Sequence, residues 1–322
     1  MEPQRASLRA FLLLLCALAA TACGGETPRE DAAGAGDVAG GPWAAEAPDT
    51  TWRLVREIGD GVYTYEYARP GDPVTTVSMW VVTDEGVLVA DGQGDVAESE
   101  RLLEEIRRTT DQPVTHLVVC SDHGDHTGGN AAFPESVEIL AHPAAQMALQ
   151  TRMAEEGGDV PLADRLVADA HTIELGGRRI DVLFLGRGHT AGDLAVHLPD
   201  ERILFMSEAF LDRVFPLMIT GYPSEWVETL RKAEAIGAET YVAGHGVRGS
   251  VRYGPAQLVA YRDAVEQVIA EVRRLHAAGL TVDDAVEQAS FGALAQQADY
   301  VYQMERAVRR VWAEIEGELP PP

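Results

Sequence analysis

A dense group of imidazoles and carboxylates follows an apolar run near the middle of the chain. Two carboxylates and two imidazoles fall within residues 121–126, among them His123, Asp125 and His126. The run before them, 117–120, is short, unbroken and largely β-branched, which predicts a strand buried on both faces of a sheet. In layered α/β folds, ligand-binding side chains gather where strands end. These residues therefore predict a layered α/β fold with a metal site at the end of this strand.

Three later strand-like runs also end in a residue that can bind a metal. His189 stands between glycines after the apolar segment 180–185, Glu208 closes the run 202–208, and His245 stands between two glycines. If these strands lie side by side, their ends deliver imidazoles and carboxylates to one rim. Nitrogen and oxygen ligands of this kind hold a Lewis-acidic cation, which lowers the pKa of bound water towards roughly 7 and polarises a carbonyl.

The hydrophobic periodicity supports two layers of sheet wrapped by helices. Helical patterns occupy residues 97–108, 144–154 and 224–235, and Ser224 is expected to cap the last of these helices. Strand-like runs occupy residues 62–67, 77–83, 87–91, 116–120, 138–141, 179–185, 194–198, 203–206 and 240–243.

The last part of the chain is helical in pattern. Apolar residues recur at intervals of three and four between 258 and 275, which predicts a helix with one buried stripe. Gly279 is suited to end it, and Thr281 with Asp284 resembles a capping box for the next helix. This block either covers the pocket, sets substrate size or forms a dimer surface, or its stripe is simply core. A final helix is predicted from the apolar residues Tyr300, Tyr302, Val308 and Trp312.

Together these features resemble the metallo-β-lactamase-fold hydrolase superfamily, and more closely its glyoxalase II-like and quinoprotein-relay-type metallohydrolase branch. The resemblance runs over residues 51–316 and implies a four-layer αββα sandwich over 51–253 with a C-terminal helical extension over 254–322. Its motifs are His123-x-Asp125-His126-x-Gly128-Gly129-Asn130, His189-Thr190-x-Gly192-Asp193, the strand ending at Glu208, Gly244-His245-Gly246, and an upstream strand ending in Asp91-Gly92.

The resemblance also implies roles for individual residues. Glu208 stands where the family places an aspartate that bridges two metals, and Asp125 is implied as the catalytic residue that orients the attacking hydroxide. The residues that correspond to metal ligands are His123 and His189 for a first metal, and Asp125, His126 and His245 for a second.

The chain departs from the family pattern at three positions. Ser121 holds the place of the histidine that opens the family motif, and a neutral hydroxyl is a poor Zn²⁺ ligand. Ser121 is either a lost ligand or a residue that holds a water. Glu208 is one methylene longer than the usual aspartate, and Ser207 before it replaces a glycine. We therefore expect the protein to bind Zn²⁺ tightly at one site and weakly at the other. Another divalent metal such as Fe or Mn is the alternative.

Other residues of suitable chemistry have a structural interpretation. His142 follows a strand and could approach the pocket, but a structural role is expected. Cys120 is expected to be a small buried hydrophobe, because successive residues of a strand face opposite sides. Arg187 either faces an anionic substrate or caps a strand end. Histidines outside the motifs are expected to be hydrogen-bonded structural residues, namely His116, His171, His197 and His276.

The N-terminus has the pattern of a secretion signal over residues 1–22. Arg5 and Arg9 precede an apolar run that is too short to span a bilayer and is followed by small residues. The sequence Ala-Thr-Ala-Cys at 20–23 resembles a bacterial lipobox, so Cys23 would become the lipidated first residue. Ordinary signal-peptidase cleavage nearby is the alternative. Both predict export, to the periplasm or the cell envelope.

Composition limits the partners of the exported part. Residues 23–50 have little to bury and are expected to form a flexible tether. The net charge of −25 excludes nucleic acid as a partner and leaves membrane contact to the lipid anchor. A small-molecule substrate is expected, and the oligomeric state is open. Cys16 is expected to leave with the signal and Cys23 to be acylated, so we expect Cys120 to have no disulfide partner and stability to come from the core.

Three functions fit these observations. The first is a metal-dependent hydrolase of an ester, thioester, lactone or amide. The second is a true β-lactamase, although no lysine or serine cluster near His245 can be assigned to the antibiotic carboxylate. The third is a degenerate, noncatalytic member that binds a metal or ligand, which Ser121 would favour and the five retained ligands oppose.

Overall fold

The first sheet is built from the N-terminal part of the chain that the structure describes. The protein is represented by a computed structural model that describes residues 50–249 and 252–321. The predicted signal peptide, Cys23 and nearly all of the tether lie outside these residues. The strands of this part are β1 (Trp52–Gly59), β2 (Val62–Ala68), β3 (Val74–Thr83), β4 (Gly86–Ala90), β5 (Val114–Val119), β6 (Glu138–Ala141) and β7 (Arg165–Leu166).

A second sheet is built from the later strands. It runs in the order β15, β13, β11, β10, β9, β8, while β12 and β14 join the first sheet through β3. The strands of this part are β8 (Ala170–Leu175), β9 (Arg178–Phe184), β10 (Leu194–Leu198), β11 (Ile203–Phe205), β12 (Leu211–Asp212), β13 (Thr240–Val242), β14 (His245–Val247) and β15 (Arg252–Tyr253).

Helices cover the outer faces of both sheets. None of the helices within the described ranges is long and apolar enough to cross a membrane. They are α1 (Val96–Thr109), α2 (Gly124–Thr127), α3 (Pro143–Glu156), α4 (Pro223–Ile236), α5 (Pro255–Ala277), α6 (Val282–Gln288) and α7 (Tyr300–Ile315).

Three hydrophobic clusters define four layers. One cluster lies between the sheets, where Met79 of β3 and Val118 of β5 share a core with Phe205 of β11. A second joins α1 to the outer face of the first sheet, and a third joins α4, α5 and α7 to the outer face of the second. Burial of both faces explains why β4 is buried along its whole length and rich in valine. The fold is thus the αββα sandwich that the resemblance implies, with C-terminal helices packed onto it.

The sheet topology brings the loops that carry the candidate metal-binding residues to one edge. Strands β4, β5, β6 and β7 are mutually parallel, so the loops after β4 and β5 leave the sheet on the same side. In the second sheet β11 is parallel to β13, which places the loop after β11 beside the connection to β14. β14 pairs with β3 and thereby ties this connection to the first sheet.

The predicted elements inside the described residues are present, with some corrections. Ser224 does not cap α4, because the helix begins at Pro223 and the Ser224 hydroxyl instead donates to Glu314 Oε2 at 2.6 Å. Tyr302 is 73% exposed, so it does not extend the buried face of α7. The capping box of Thr281 and Asp284 is confirmed. Strands β1 and β8, at the edges of the two sheets, are additional to the predicted runs, because polar and charged residues on their exposed faces interrupt the apolar pattern.

Candidate metal centre

The loop after β5 carries the densest part of the site. His123 immediately precedes the one-turn helix α2, and Asp125 and His126 lie within that helix. The Arg152 guanidinium of α3 donates to the Asp122 carbonyl at 2.7 Å and to the Thr127 hydroxyl at 2.8 Å, which holds both ends of the motif. Two histidines and an aspartate are thereby presented from four consecutive residues in fixed directions.

The two glycines after this helix allow close packing against α1. Gly128 and Gly129 have φ values of −60° and −96°, which any residue can adopt. A Cβ atom on Gly129, however, would lie 2.1 Å from Ser99 Oγ, and one on Gly128 would lie 2.3 Å from the Gly94 carbonyl oxygen. The lack of a side chain, rather than dihedral freedom, is therefore what the motif requires here.

The first donor group consists of His123, His189 and Glu208. His123 Nδ1 lies 3.1 Å from His189 Nε2 and 2.9 Å from Glu208 Oε2. His189 Nε2 lies 3.1 Å from Glu208 Oε1. Three donor atoms from three separate loops thus converge on one point.

The second donor group consists of Asp125, His126, Glu208 and His245. His126 Nε2 lies 3.3 Å from His245 Nε2 and 3.6 Å from Asp125 Oδ2. His245 Nε2 lies 3.2 Å from Asp125 Oδ2 and 3.1 Å from Glu208 Oε1. Glu208 belongs to both groups, so its carboxylate lies between them.

These spacings fit a metal. Two ligands about 2.0–2.1 Å from one Zn²⁺ in tetrahedral geometry lie about 3.3 Å apart. The nitrogen–nitrogen distances of 3.1 Å in the first group and 3.3 Å in the second are close to that value. The donor atoms are imidazole nitrogens and carboxylate oxygens, the types that zinc and other divalent first-row metals accept. The residues could therefore hold one ion in each group.

Outer partners fix which nitrogen each imidazole presents. His245 Nδ1 lies 2.8 Å from the Thr75 carbonyl oxygen, so it donates there and leaves the Nε2 lone pair for the site. The Thr220 hydroxyl donates to the His189 carbonyl and lies 3.2 Å from His123 Nε2, so His123 presents its Nδ1 to the first donor group. His126 Nδ1 lies 3.0 Å from Asp91 Oδ2, close enough for an ion pair although not aligned as a hydrogen bond.

Asp91 connects the loops that carry the donors. Its Oδ1 accepts hydrogen bonds from the backbone N–H groups of Cys120 and Ser121, at 2.7 and 3.4 Å, and its Oδ2 accepts one from the Ser207 hydroxyl. Asp91 and Ser207 have φ values of 60° and 47°, in the left-handed region that favours glycine. Backbone strain of this kind persists where the surroundings enforce it, often at functional sites.

The loop that carries His189 is held by its own motif. Asp193 accepts hydrogen bonds from the Thr190 N–H at 2.8 Å and from the Thr190 hydroxyl at 2.6 Å. The ring of Trp226 meets the His189 ring edge-on at 5.3 Å, so helix α4 supports the imidazole from behind. The buried Nδ1 of His189 has no hydrogen-bond partner among the described residues, unlike the outer nitrogens of His123 and His245.

Ser121 lies at the centre but outside both donor groups. Its side chain is fully buried, and its hydroxyl donates to Glu208 Oε2. The backbone N–H of His123 donates in turn to Ser121 Oγ at 3.3 Å. Ser121 therefore orients the shared carboxylate and the loop that carries His123.

The electrostatics favour ionised carboxylates. Burial opposes the charge of Glu208, yet His189 and His123 hold the pKa of Glu208 well below its ordinary value. Burial likewise opposes the charge of Asp125, but His126 and His245 lower its pKa. Burial would lower the pKa of His123, whereas Glu208 beside it raises that pKa to about 9. The site therefore combines anionic oxygens with imidazoles that hold protons in the absence of a cation.

Residues with a structural interpretation lie away from the donors. His142 precedes α3, accepts from the Ala144 N–H at 3.1 Å and stacks on Phe184 at 4.1 Å. Cys120 is fully buried in the core between the sheets. Arg187 pairs with Glu225 and lies over the Tyr222 ring at 3.8 Å, so its guanidinium is held by these residues and not by the donor groups. The remaining histidines are absent from both described donor groups, namely His116, His171, His197 and His276.

Some site residues could not be recognised from the sequence pattern. The Thr76 hydroxyl of β3 lies 3.2 Å from Asp125 Oδ2, and Thr220 supports His123 from a loop nearly a hundred residues away. Neither residue lies in a motif, because hydroxyls of this type are common in strands and loops. Asp91 was recognisable from the sequence, since it ends an apolar strand and precedes a glycine.

An open cleft leads to the donor groups. It has a volume of about 320 Å³, and His123, Asp125, Glu208 and His245 lie at its floor. Tyr67, Val74 and Leu217 contribute apolar wall, while Arg69, Asp72 and Asp299 contribute charge. A small molecule can therefore reach the atoms that a metal would occupy.

Two stacked sheets with paired nitrogen and oxygen donor groups at their common edge define a metal-binding α/β protein. The chain belongs to the metallo-beta-lactamase superfamily, whose family model matches residues 71–245. Membership places it, at a coarse level, among metallohydrolases. The matched residues include every donor of both groups.

Curated relatives are similar over part of their length. The alpha subunit of 2,4-dinitroanisole O-demethylase from Nocardioides sp. strain JS1661 is 24% identical over 71% of this chain and 72% of that protein. A hydroxyacylglutathione hydrolase of Mesorhizobium japonicum is 29% identical over 50% of this chain and 61% of that protein. A type 2 metallo-beta-lactamase of Bacillus sp. strain 170 is 27% identical over 42% of this chain and 50% of that protein.

Solved structures share the fold. A metallo-beta-lactamase from Pontibacter korlensis superposes with a TM-score of 0.59 at 22% identity, over 67% of this chain and 99% of that chain. A metallo-beta-lactamase from Hirschia baltica superposes with a TM-score of 0.57 at 17% identity, over 66% of this chain and 97% of that chain. At these identities the likeness concerns the fold and not the substrate.

Proposed function

We propose that the protein is an exported, metal-dependent hydrolase, with zinc as its metal, that cleaves an ester, thioester, lactone or amide. The observation that carries this proposal is the pair of donor groups that share Glu208 at the floor of an open cleft. A purely structural metal site has its ligands closed around the ion, whereas a catalytic one keeps an open position. The first group offers three protein donors and so leaves such a position.

The residues of the chain have separable tasks. A metal bound there would supply activated water and would polarise a substrate carbonyl. Asp125 is ionised, has a side chain that is 44% exposed towards the cleft, and lies 3.2 Å from the Thr76 hydroxyl. It can therefore orient an attacking water through a hydrogen bond to its carboxylate. His245 and His126 would hold the second metal position, and Asp91 and the Thr75 carbonyl would orient those two imidazoles.

The relatives guide the choice of substrate. Their names cover an O-demethylase, hydrolases of a glutathione thioester and β-lactamases, so a panel should contain an aryl methyl ether, thioesters, esters, lactones and β-lactams. Among the described residues that line the cleft, Arg69 is the one lysine or arginine available for an antibiotic carboxylate. We therefore expect β-lactams to be poorer substrates than esters and thioesters.

One experiment tests the proposal directly. The metal content of the purified protein is measured by elemental mass spectrometry. The same preparation is then assayed on the substrate panel with and without a chelator. Asp125→Ala and His245→Ala should each lose bound metal, and their kcat/KM should fall by at least a hundredfold. His171→Ala, outside the donor groups, serves as the matched control and should retain both. Turnover that survives complete metal loss would contradict the mechanism.

A second candidate is a member that binds a metal or ligand without turnover. The observation that favours it is Ser121, which stands where the family motif has a histidine and leaves the first group with His123, His189 and Glu208 as its donors. Bound metal together with inactivity across the whole panel would support this alternative. Hydrolysis of any panel member that depends on metal and on Asp125 would exclude it.

A further inference from the structure

The last helix of the C-terminal extension binds the backbone of a loop beside the first donor group. Arg310 of α7 donates through Nε to the Gly221 carbonyl at 2.6 Å and through Nη2 to the Thr220 carbonyl at 2.9 Å. Its guanidinium also lies over the Tyr222 ring at 5.4 Å. Burial lowers the pKa of Arg310, and this residue forms no salt bridge within the described ranges. The hydrogen bonds of a half-buried guanidinium therefore go to two successive carbonyls of one loop.

A second residue on the same face of α7 binds the segment that follows this loop. Residues four apart on a helix lie on the same side, as Arg310 and Glu314 do. Glu314 accepts from the Ser224 N–H at 2.9 Å and from the Ser224 hydroxyl at 2.6 Å, at the start of α4. Trp226, one turn into α4, packs edge-on against the His189 ring. Helix α7 thus holds the segment 220–226, which supports a ligand of the first group.

The loop that Arg310 binds also contacts both histidines of the first group. The Thr220 hydroxyl donates to the His189 carbonyl at 3.2 Å. A hydroxyl has only one proton to donate, so in its 3.2 Å contact with His123 Nε2 the imidazole donates and the hydroxyl accepts. The proton of a neutral His123 is then on Nε2, and its Nδ1 lone pair faces His189 and Glu208. Thr220 therefore selects the tautomer in which His123 can bind a metal.

The second donor group is supported from elsewhere in the fold. His245 Nδ1 lies 2.8 Å from the Thr75 carbonyl of β3, and His126 Nδ1 lies 3.0 Å from Asp91 after β4. Both contacts come from the first sheet, and neither involves α7. The two groups share Glu208, but the outer contacts of their histidines are separate. A change in α7 can therefore act on one group and spare the other.

We propose that Arg310 is a positioning residue for the first metal position and acts through the Thr220 hydroxyl on the two histidines of that group. The inference rests on the proposed function in one respect, that the first group binds a metal. Without its bonds to Arg310 the backbone of residues 220–221 loses its fixed position, and the hydroxyl no longer holds His123 Nε2. Partners that orient a ligating histidine change metal affinity by about ten- to a hundredfold.

Zinc titration of the metal-free protein against a chromophoric chelator tests the inference. Arg310→Met removes both hydrogen bonds and keeps a long apolar stem. It should raise the dissociation constant of the zinc step that His189→Ala weakens by about tenfold, and change the other step by less than about twofold. Arg309→Met is the matched control and should change neither step, since this neighbouring arginine pairs with Glu305 and Asp283 on the exposed side of α7. Equal affinities in Arg310→Met and the unaltered protein would overturn the inference.

Variants of Thr220 test the route from α7 to the histidines. Thr220→Val keeps the shape and removes the hydroxyl, so it should weaken the same zinc step by about tenfold, whereas Thr220→Ser keeps the hydroxyl and should weaken it by less than about twofold. Arg310→Met combined with Thr220→Val should bind zinc as Thr220→Val alone does, because both changes act on one contact. Additive losses would show that Arg310 does not act through Thr220.

Circular dichroism checks that each variant is folded. Arg310→Lys replaces Arg310→Met in the same comparison if the latter does not fold, because lysine keeps the charge but lacks the forked pair of donors.

The ring N–H signals of the zinc-loaded protein give a readout that overall stability does not move. His123 should carry its proton on Nε2, where the Thr220 hydroxyl protects it from exchange with water. This NMR signal should be lost in Arg310→Met and in Thr220→Val and kept in Arg309→Met. A His123 that carries its proton on Nδ1 would overturn the inference.

Zinc binding separates this inference from the proposed hydrolysis. Selective weakening of one zinc step in Arg310→Met supports the role of Arg310 even if no member of the substrate panel is cleaved, in which case the hydrolase proposal alone fails. Unchanged zinc steps in Arg310→Met, together with metal-dependent turnover, reject the role of Arg310 and leave the hydrolase proposal standing.

Discussion

The Ser121 hydroxyl donates a hydrogen bond to the Glu208 carboxylate at the metal centre. Ser121 is fully buried and Glu208 is 2% exposed, so the contact lies out of water. Both residues depart from the family pattern: Ser121 stands where the resemblance implies a histidine, and Glu208 where it implies an aspartate. A shorter residue on the loop after β5 thus faces a longer carboxylate on the loop after β11. The two departures compensate each other in length.

This pairing predicts a strong dependence of one substitution on the other. Ser121→His alone should overpack the site, destabilise the protein by about 1–3 kcal/mol and fail to tighten zinc, because Glu208 occupies the space. Ser121→His combined with Glu208→Asp should restore stability and raise zinc affinity at the first group, since an imidazole replaces a hydroxyl. Thermal unfolding and zinc competition with a chelator measure both quantities.

Ser121→Ala is the control for this cycle, because it removes the hydrogen bond without adding volume. It should cost about 1 kcal/mol of unfolding free energy. If the effects of Ser121→His and Glu208→Asp on zinc affinity were simply additive, the compensation between these residues would be disproved.

The two donor groups should bind zinc unequally. The second group has four protein donors and the first has three, and each added ligand raises affinity. Zinc titration of the metal-free protein against a chromophoric chelator should give two steps that differ by at least tenfold in dissociation constant. His126→Ala should weaken the tighter step and His189→Ala the looser one. Two steps of equal affinity would contradict this assignment.

Zinc affinity should rise with pH up to about pH 9. Burial disfavours a charged His123, but Glu208 raises the pKa of His123 to about 9, so the metal-free protein holds a proton there at neutral pH. Because this pKa is raised, the His123–Glu208 ion pair stabilises the metal-free state fully below the ordinary histidine pKa and is lost as pH rises through 9. Zinc must displace that proton, so its affinity increases by up to about tenfold per pH unit in this range.

Calorimetry in buffers of different ionisation enthalpy measures the protons released when zinc binds. At pH 7 we expect at least one proton for each zinc bound. Zinc affinity that stays constant between pH 6 and 9 would show that His123 is already neutral in the metal-free protein.

Replacement of Cys23 tests the predicted route of export. Cys23→Ser should release the protein from the membrane fraction or block its processing, because lipidation requires the cysteine thiol. Cys120→Ser, at a buried residue outside the predicted signal, is the control and should leave fractionation unchanged. Identical fractionation of Cys23→Ser and the unaltered protein would favour ordinary signal-peptidase cleavage.

Local patterns in the sequence were sufficient to predict most elements and the donor residues. The apolar runs of β4, β5, β10 and β11 stand out because strands buried on both faces need continuous apolar sequence. His123, Asp125 and His126 stand out because donors on one short loop are neighbours in the chain. His189, Glu208 and His245 could be added because each follows such a run or lies between glycines. The sequence therefore determined the fold class and pointed to the residues that the structure brings together in the two donor groups.

Only the tertiary structure decided how these residues act on one another. The hydrogen bond from Ser121 to Glu208 joins loops that follow strands of different sheets, and Thr76 of β3 supports Asp125 of α2. Asp299 reaches the cleft through a bridge between Val214 and Ala298, although it lies in a segment with an ordinary helical pattern. Contacts of this kind depend on long-range packing, and a single chain carries no local periodicity that reports them. The sequence alone is thus enough to select the candidate donor residues, whereas their geometry and the charge of the cleft arise from the packing of distant segments.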